Sequence, residues 1–177
     1  MPEHEIKISP EFQRQTLILN MLDFICLQED HGPGNYFVIT DDKNVIYNLS
    51  AFDNDSNGTF SPYFSAVFQH PRESVLVSNE GYINRPFLDK YVTLNILNTP
   101  IERLSEAVKD FLPALNTYAL CVRVNKLQKI IMKSINTGRT KLLASGEFSR
   151  ETINEELSGK YGITYLKFFV DKLFRNM

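Results

Sequence analysis

The chain predicts an α+β fold, mainly helical, with one small β-hairpin near its N-terminal end and a stack of helices toward its C-terminal end. Three observations predict it. A capped, strongly apolar helical stretch opens the fold at Ser9-Pro10-Glu11. Two short β-rich runs come next, joined by the turn-forming string Asp41-Asp42-Lys43-Asn44. Beyond residue 84 the apolar residues recur at helical spacing, with start and stop signals between the runs. The 177 residues suffice for one domain with a core of its own. At 43% hydrophobic and 23% charged, the composition excludes wholesale disorder.

The first helix has Ser9 as N-cap, Pro10 at the first helical position and Glu11 in the first turn. Phe12, Leu17, Leu19, Met21, Leu22, Phe24, Ile25 and Leu27 supply its apolar side chains. The second half is apolar almost all round, which predicts a helix buried in the middle of the fold. It is expected to end at Gln28-Glu29-Asp30, before Gly32-Pro33-Gly34, which cannot continue it. Residues 36–40 and 45–49 read as antiparallel strands around the turn at 41–44. Such pairing brings the flanks of the two strands to one end of the ribbon.

Residues 61–83 read as an irregular loop, punctuated by Ser61, Pro62, Pro71 and Gly81 and anchored by Tyr63, Phe64, Val67 and Phe68. Helices are then expected over 86–97, from Thr99-Pro100-Ile101-Glu102 as a capping box, over 114–136 with Gly138 just past the end, over about 149–157, and over 165–174. Leu104, Val108 and Phe111 are placed on the inner face of the second of these, and Leu115, Tyr118, Val122, Leu127, Ile130, Ile131 and Ile135 in the third. The division expected is therefore a tail at 1–9, a segment at 10–60 carrying the chemistry, the loop at 61–83 and a helical part at 84–177, all in one domain.

Several function classes drop out. Net charge is −2, which gives no general attraction to nucleic acid or to anionic membrane. Cys26 and Cys121 sit in apolar surroundings and read as buried small hydrophobes. No Cys/His spacing resembles a zinc site, and no Ser or Cys lies in an elbow with a His partner. No apolar run reaches the roughly 18 residues of a membrane span. With a polar, acidic start at Met1-Pro2-Glu3-His4-Glu5, the expectation is a cytoplasmic, reducing setting. Gly32-Pro33-Gly34 lacks the Lys-Ser/Thr of a phosphate-binding loop and leads into a strand. Lys126, Lys129, Lys133, Arg139 and Lys141 form a basic stripe. It is either a solvated helix end or a patch for phosphoinositide or nucleic acid.

Two polar clusters flank the hairpin. Asp30 and Asn35 stand five apart on the turn before it, and Asp53-Asn54-Asp55 lies after it. Each alone is satisfied by an ordinary Asx-rich turn. Together they make an ordered string: apolar helix, Asp-x4-Asn, two-stranded ribbon, Asp. Phosphoryl transfer uses such a set, with one Asp to orient a hydroxyl and an Asn and a second Asp to hold Mg²⁺ on nucleotide phosphates.

On these residues, 11–60 resembles the catalytic segment of the atypical protein-kinase-like superfamily. The nearest branch holds the phosphatidylinositol 3- and 4-kinases, the secretory-pathway kinases and the HipA toxins. Asp30-His31-Gly32-Pro33-Gly34-Asn35 is similar to their catalytic loop, and Phe52-Asp53-Asn54-Asp55 to their metal segment. Ile83-Asn84-Arg85-Pro86-Phe87-Leu88-Asp89-Lys90 is similar to the stretch that bacterial members carry beyond the metal segment. The resemblance implies a kinase-like C-terminal lobe using ATP and Mg²⁺. Asp30 would be the catalytic residue, Asn35 and Asp53 metal ligands, and Asp55 an alternative ligand. His31 would be either a loop support or an exposed turn residue. The residues before the first helix cannot form a five-stranded N-terminal lobe, and no Gly-rich loop precedes a strand Lys. The resemblance therefore also implies an N-lobe supplied by another polypeptide or domain, or else a non-catalytic module of the pseudokinase type. The acceptor is open among protein, lipid and small molecule.

Overall fold

A computed structural model describes residues 7–28, 36–43, 45–51, 76–158 and 166. The elements are β1 (Lys7–Ile8), α1 (Pro10–Cys26), β2 (Tyr36–Thr40), β3 (Val45–Ala51), β4 (Phe87–Asp89), α2 (Lys90–Leu97), α3 (Ile101–Val108), α4 (Ala114–Asn136), β5 (Lys141–Leu143) and α5 (Arg150–Leu157), with a 3₁₀ turn at Ser145–Glu147. The protein is α+β and mostly helical. The strands form two small sheets: β1-β3-β2, in which β1 runs parallel and β2 antiparallel to β3, and a parallel pair β4-β5.

Helix α1 is the hub. Ser9 is its N-cap, the Oγ accepting from Phe12 N–H at 3.1 Å, and Pro10 fills the first turn. Its side chains feed four clusters. Phe12 packs with Ile8, Ile46, Ile153 and Leu166. Met21 and Phe24 pack with Leu76, Ile83, Leu88, Leu127, Ile130 and Ile131. Leu17 packs with Phe87 and Phe148. The buried central helix expected from its composition is thus present, although Leu22 remains 48% exposed. The fourth cluster seats α3 on α4 through Leu112, Leu120 and Val124, with Ile25 of α1, Ile101, Leu104 and Val108 against them.

The helix stops at Cys26, earlier than Gln28-Glu29-Asp30, because Leu27 turns left-handed at φ 53°. That conformation is costly for a residue with a Cβ. Leu27 is only 2% exposed, and burial of its side chain offsets the cost.

Other expectations need correction. Residues 86–97 do not form one helix. Phe87–Asp89 is a buried strand, and α2 begins at Lys90 because the Asp89 carboxylate accepts from Val92 N–H at 2.8 Å as its N-cap. The Thr99 capping box does not form. Pro100 precedes α3 with no side-chain cap, and the Thr99 hydroxyl donates back to Asn95 O at 2.6 Å. Phe111 leaves the apolar face and is 82% exposed; Leu115 and Tyr118 are 39% and 62% exposed. The expected tail contains β1, and the expected helical part contains β4 and β5. Helix α4 has the expected limits, with Gly138 at φ 68° just beyond, and α5 begins after Ser149 as expected. The expected helix at 165–174 lies outside the described residues except at Leu166, which is helical and buried.

Candidate functional site

Asp30, His31, Asn35, Asp53 and Asp55 lie outside the described residues. Their framework does not. At the C-terminal end of α1, Gln28 N–H donates to Asp23 O at 2.9 Å. Arg123 of α4 donates its Nε–H to Ile25 O at 2.9 Å. Burial pushes the Arg123 pKa down, while the neighbouring Cys26 thiol pulls it up. A cation at this place satisfies a terminal carbonyl and suits the negative end of the helix.

The ribbon is equally well defined. Val38 pairs with Leu49 and Tyr36 with Ala51, with a register shift between Ile39 and Thr40. The Asp41 carboxylate accepts from Lys43 and Val45 N–H, both at 2.9 Å, which closes the turn by the Asx mechanism expected of that string. Leu49 N–H donates to the Gln15 side chain of α1 at 3.0 Å, tying ribbon to helix. Tyr36, which follows Asn35 in the chain, pairs with Ala51, which precedes Phe52.

A buried polar cluster is the feature that sequence reasoning missed. Arg85, fully buried, donates from Nη1 to Asn20 Oδ1 at 2.7 Å and from Nη2 to Thr16 Oγ1 at 3.2 Å. Its Nη2 also meets Glu156 Oε1 at 2.6 Å, with neither side chain exposed. Gln13 donates to the other Glu156 oxygen at 2.6 Å and accepts from the Thr152 hydroxyl at 2.7 Å. Thr140 donates to Arg85 O at 2.9 Å. Burial pushes the Glu156 carboxyl up, against the opposing pull of Arg85 and Gln13. Gln13, Thr16, Arg85 and Glu156 have no exposed surface. The cluster clamps α1, the entry to β4 and α5 into one unit. The signal that could have found it is the polar row at 13, 16 and 20, which falls on one face of α1. A second ion pair, Arg14 to Asp89 at 3.3 Å, lies beside it.

Between α3 and α4 runs a cleft of about 760 Å³, bordered by Ile101, Glu102, Ser105, Tyr118, Cys121 and Val122. Both cysteines are free thiols; Cys121 is buried as expected, whereas Cys26 is only half-buried. Among the described residues no group of three His, Cys, Asp or Glu could hold a metal ion, and no helix is long and apolar enough to cross a membrane. No protein-family model matches the chain, and neither a curated protein nor a solved structure matches it.

Proposed function

We propose that the chain is the catalytic lobe of an ATP- and Mg²⁺-dependent phosphotransferase of the kinase-like fold, completed by an N-lobe from another polypeptide or domain. The observation that carries the reading is the ordered string of apolar helix, Asp30-x4-Asn35, ribbon and Asp53. The ribbon's observed register supports it, because Tyr36 opposite Ala51 joins the two flanks at one end. In this reading Asp30 orients the acceptor hydroxyl for in-line attack. Asn35 and Asp53 hold the metal, and Asp55 offers a further oxygen. These are the hard oxygen donors that Mg²⁺ takes. When bound, the metal neutralises charge on the β- and γ-phosphates. The bond from Leu49 N–H to the Gln15 side chain ties the ribbon to α1, and the clamp at Arg85 and Glu156 ties α1 to α5, the fixed relation that positioning catalysis demands.

The test is titration of the chain with Mg²⁺-nucleotide, alone and with candidate N-lobe partners, and then turnover assays. Asp30→Ala and Asp53→Ala are each expected to lower turnover by several orders of magnitude. Near-native rates in both would remove these roles. The second reading, a non-catalytic interaction module, is favoured by Phe111 and Tyr118, exposed at 82% and 62%. It predicts no nucleotide binding under any of those conditions.

A further inference from the structure

Over residues 111–146 the chain contains no Asp or Glu, yet it carries Arg123, Lys126, Lys129, Lys133, Arg139 and Lys141. In a protein of net charge −2 this is a concentrated local excess of cations. Arg123 is buried on Ile25 O; the other five are exposed. Lys126, Lys129 and Lys133 stand three and four positions apart on α4, so they share one face of the helix and span about 10 Å along it. Lys133 and Arg139 both sit over the Tyr82 ring, at 3.7 and 3.9 Å from its centroid, which carries the cationic row past the end of the helix.

The helix dipole does not account for this row. Its influence fades within the last turn, which contains Lys133 but not Lys126 or Lys129. Like charges at such spacing destabilise an isolated helix, and no acid is interleaved to relieve them. Glu80 reaches the far end only, its carboxylate accepting from Arg139 Nη1 at 3.0 Å.

We propose that this ridge docks the protein onto the surface of an anionic phospholipid bilayer. The chemistry of the ridge favours a bilayer over a nucleic acid. The Tyr82 ring is already engaged by two cations and offers no stacking platform for a base. Arg139 commits part of its fork to Glu80, and the rest of the row is lysine, a point charge that reads no base edge. Met132, 45% exposed on the same stretch of helix, is an apolar side chain with no role against a phosphate backbone. At a bilayer it enters the headgroup region while the lysines meet anionic headgroups.

Co-sedimentation of the full chain with phosphatidylserine-containing and pure phosphatidylcholine vesicles tests the proposal. Binding is expected to the former, to fail on the latter, and to weaken steeply as salt is raised. The triple variant Lys126→Glu, Lys129→Glu, Lys133→Glu is expected to lose at least about a hundredfold in affinity. Lys43→Glu, Lys90→Glu, Lys109→Glu, with the same total charge at other exposed lysines, is expected to retain most of it. Circular dichroism confirms that each variant is folded. Absence of binding by the natural chain to phosphatidylserine vesicles at low salt overturns the proposal. So does equal loss in both triple variants, or binding to duplex DNA or RNA by a chain that ignores the vesicles.

Discussion

Arg85 and Glu156 meet with neither side chain exposed. A buried ion pair adds little over apolar residues of similar volume, but breaking one half strands a charge in the interior. Arg85→Met and Glu156→Leu, made singly, are each expected to cost about 3–5 kcal/mol in urea unfolding. The double variant is expected to recover much of that loss, so additive losses would show that the pair does not act as a unit. Cys121 gives a prediction that reads pH. Burial raises its thiol above the ordinary 9.0, the Ser105 hydrogen bond opposing and Glu102 reinforcing the shift. Alkylation of Cys121 in the folded protein should therefore have its midpoint above pH 9.0, with Cys26 labelled first at neutral pH. In the unfolded chain the thiol ionises at lower pH than in the folded one. Its contribution to stability is therefore full below pH 9.0 and lost as pH rises through the folded value. Cys121→Ala should abolish that increment of alkaline destabilisation. The pairing of Arg85 with its partners was not legible residue by residue. The partners of Arg85 lie 65 and 69 positions away on α1, and a single sequence carries no record of which polar groups meet.

At the scale of elements, local chemistry was read where it acts locally. The Ser9-Pro10 start, the Asp41 turn and the Gly138 stop each settle their own boundary within a few residues, and α1, the ribbon and α4 result from them. What escaped were the short strands. Lys7–Ile8 and Lys141–Leu143 have no length over which alternation could show, and they exist because β3 and β4 offer parallel partners from elsewhere in the chain. The apolar run at 86–97 hid a strand for the same reason, and the signal that divides it is Asp89, which caps α2 and pairs with Arg14. Asp89→Ala is expected to cost about 1 kcal/mol for the lost cap. Loss of the Arg14 partner adds to that, and a melt indistinguishable from the natural protein would deny the cap its role. Gly138→Ala forces a Cβ into a left-handed backbone. A loss of about 1 kcal/mol is expected there although nothing lies within 4 Å to clash.

For the whole molecule, α1 unites four apolar clusters and the polar clamp, so damage to it should be felt everywhere. Leu17→Ala and Met21→Ala, both fully buried, are each expected to lose about 2–5 kcal/mol. Hydrogen exchange should show α1, α4 and α5 losing protection together; retention of α4 protection in these variants would indicate a separable helical unit. The mainly helical α+β class and the central helix were legible because composition and periodicity act over many residues. The proposed phosphotransfer site rests on a string of residue types alone, and its four groups lie outside the described residues.

The clamp has one consequence for how the protein comes into being. Gln13 and Glu156 are 143 positions apart. During synthesis at about 5–20 residues per second, Gln13 and then Arg85 emerge long before their carboxylate exists. Through that interval the nascent chain holds a guanidinium it cannot yet bury at acceptable cost. Native closure of the central helix therefore waits for the last turn of α5, which supplies the carboxylate.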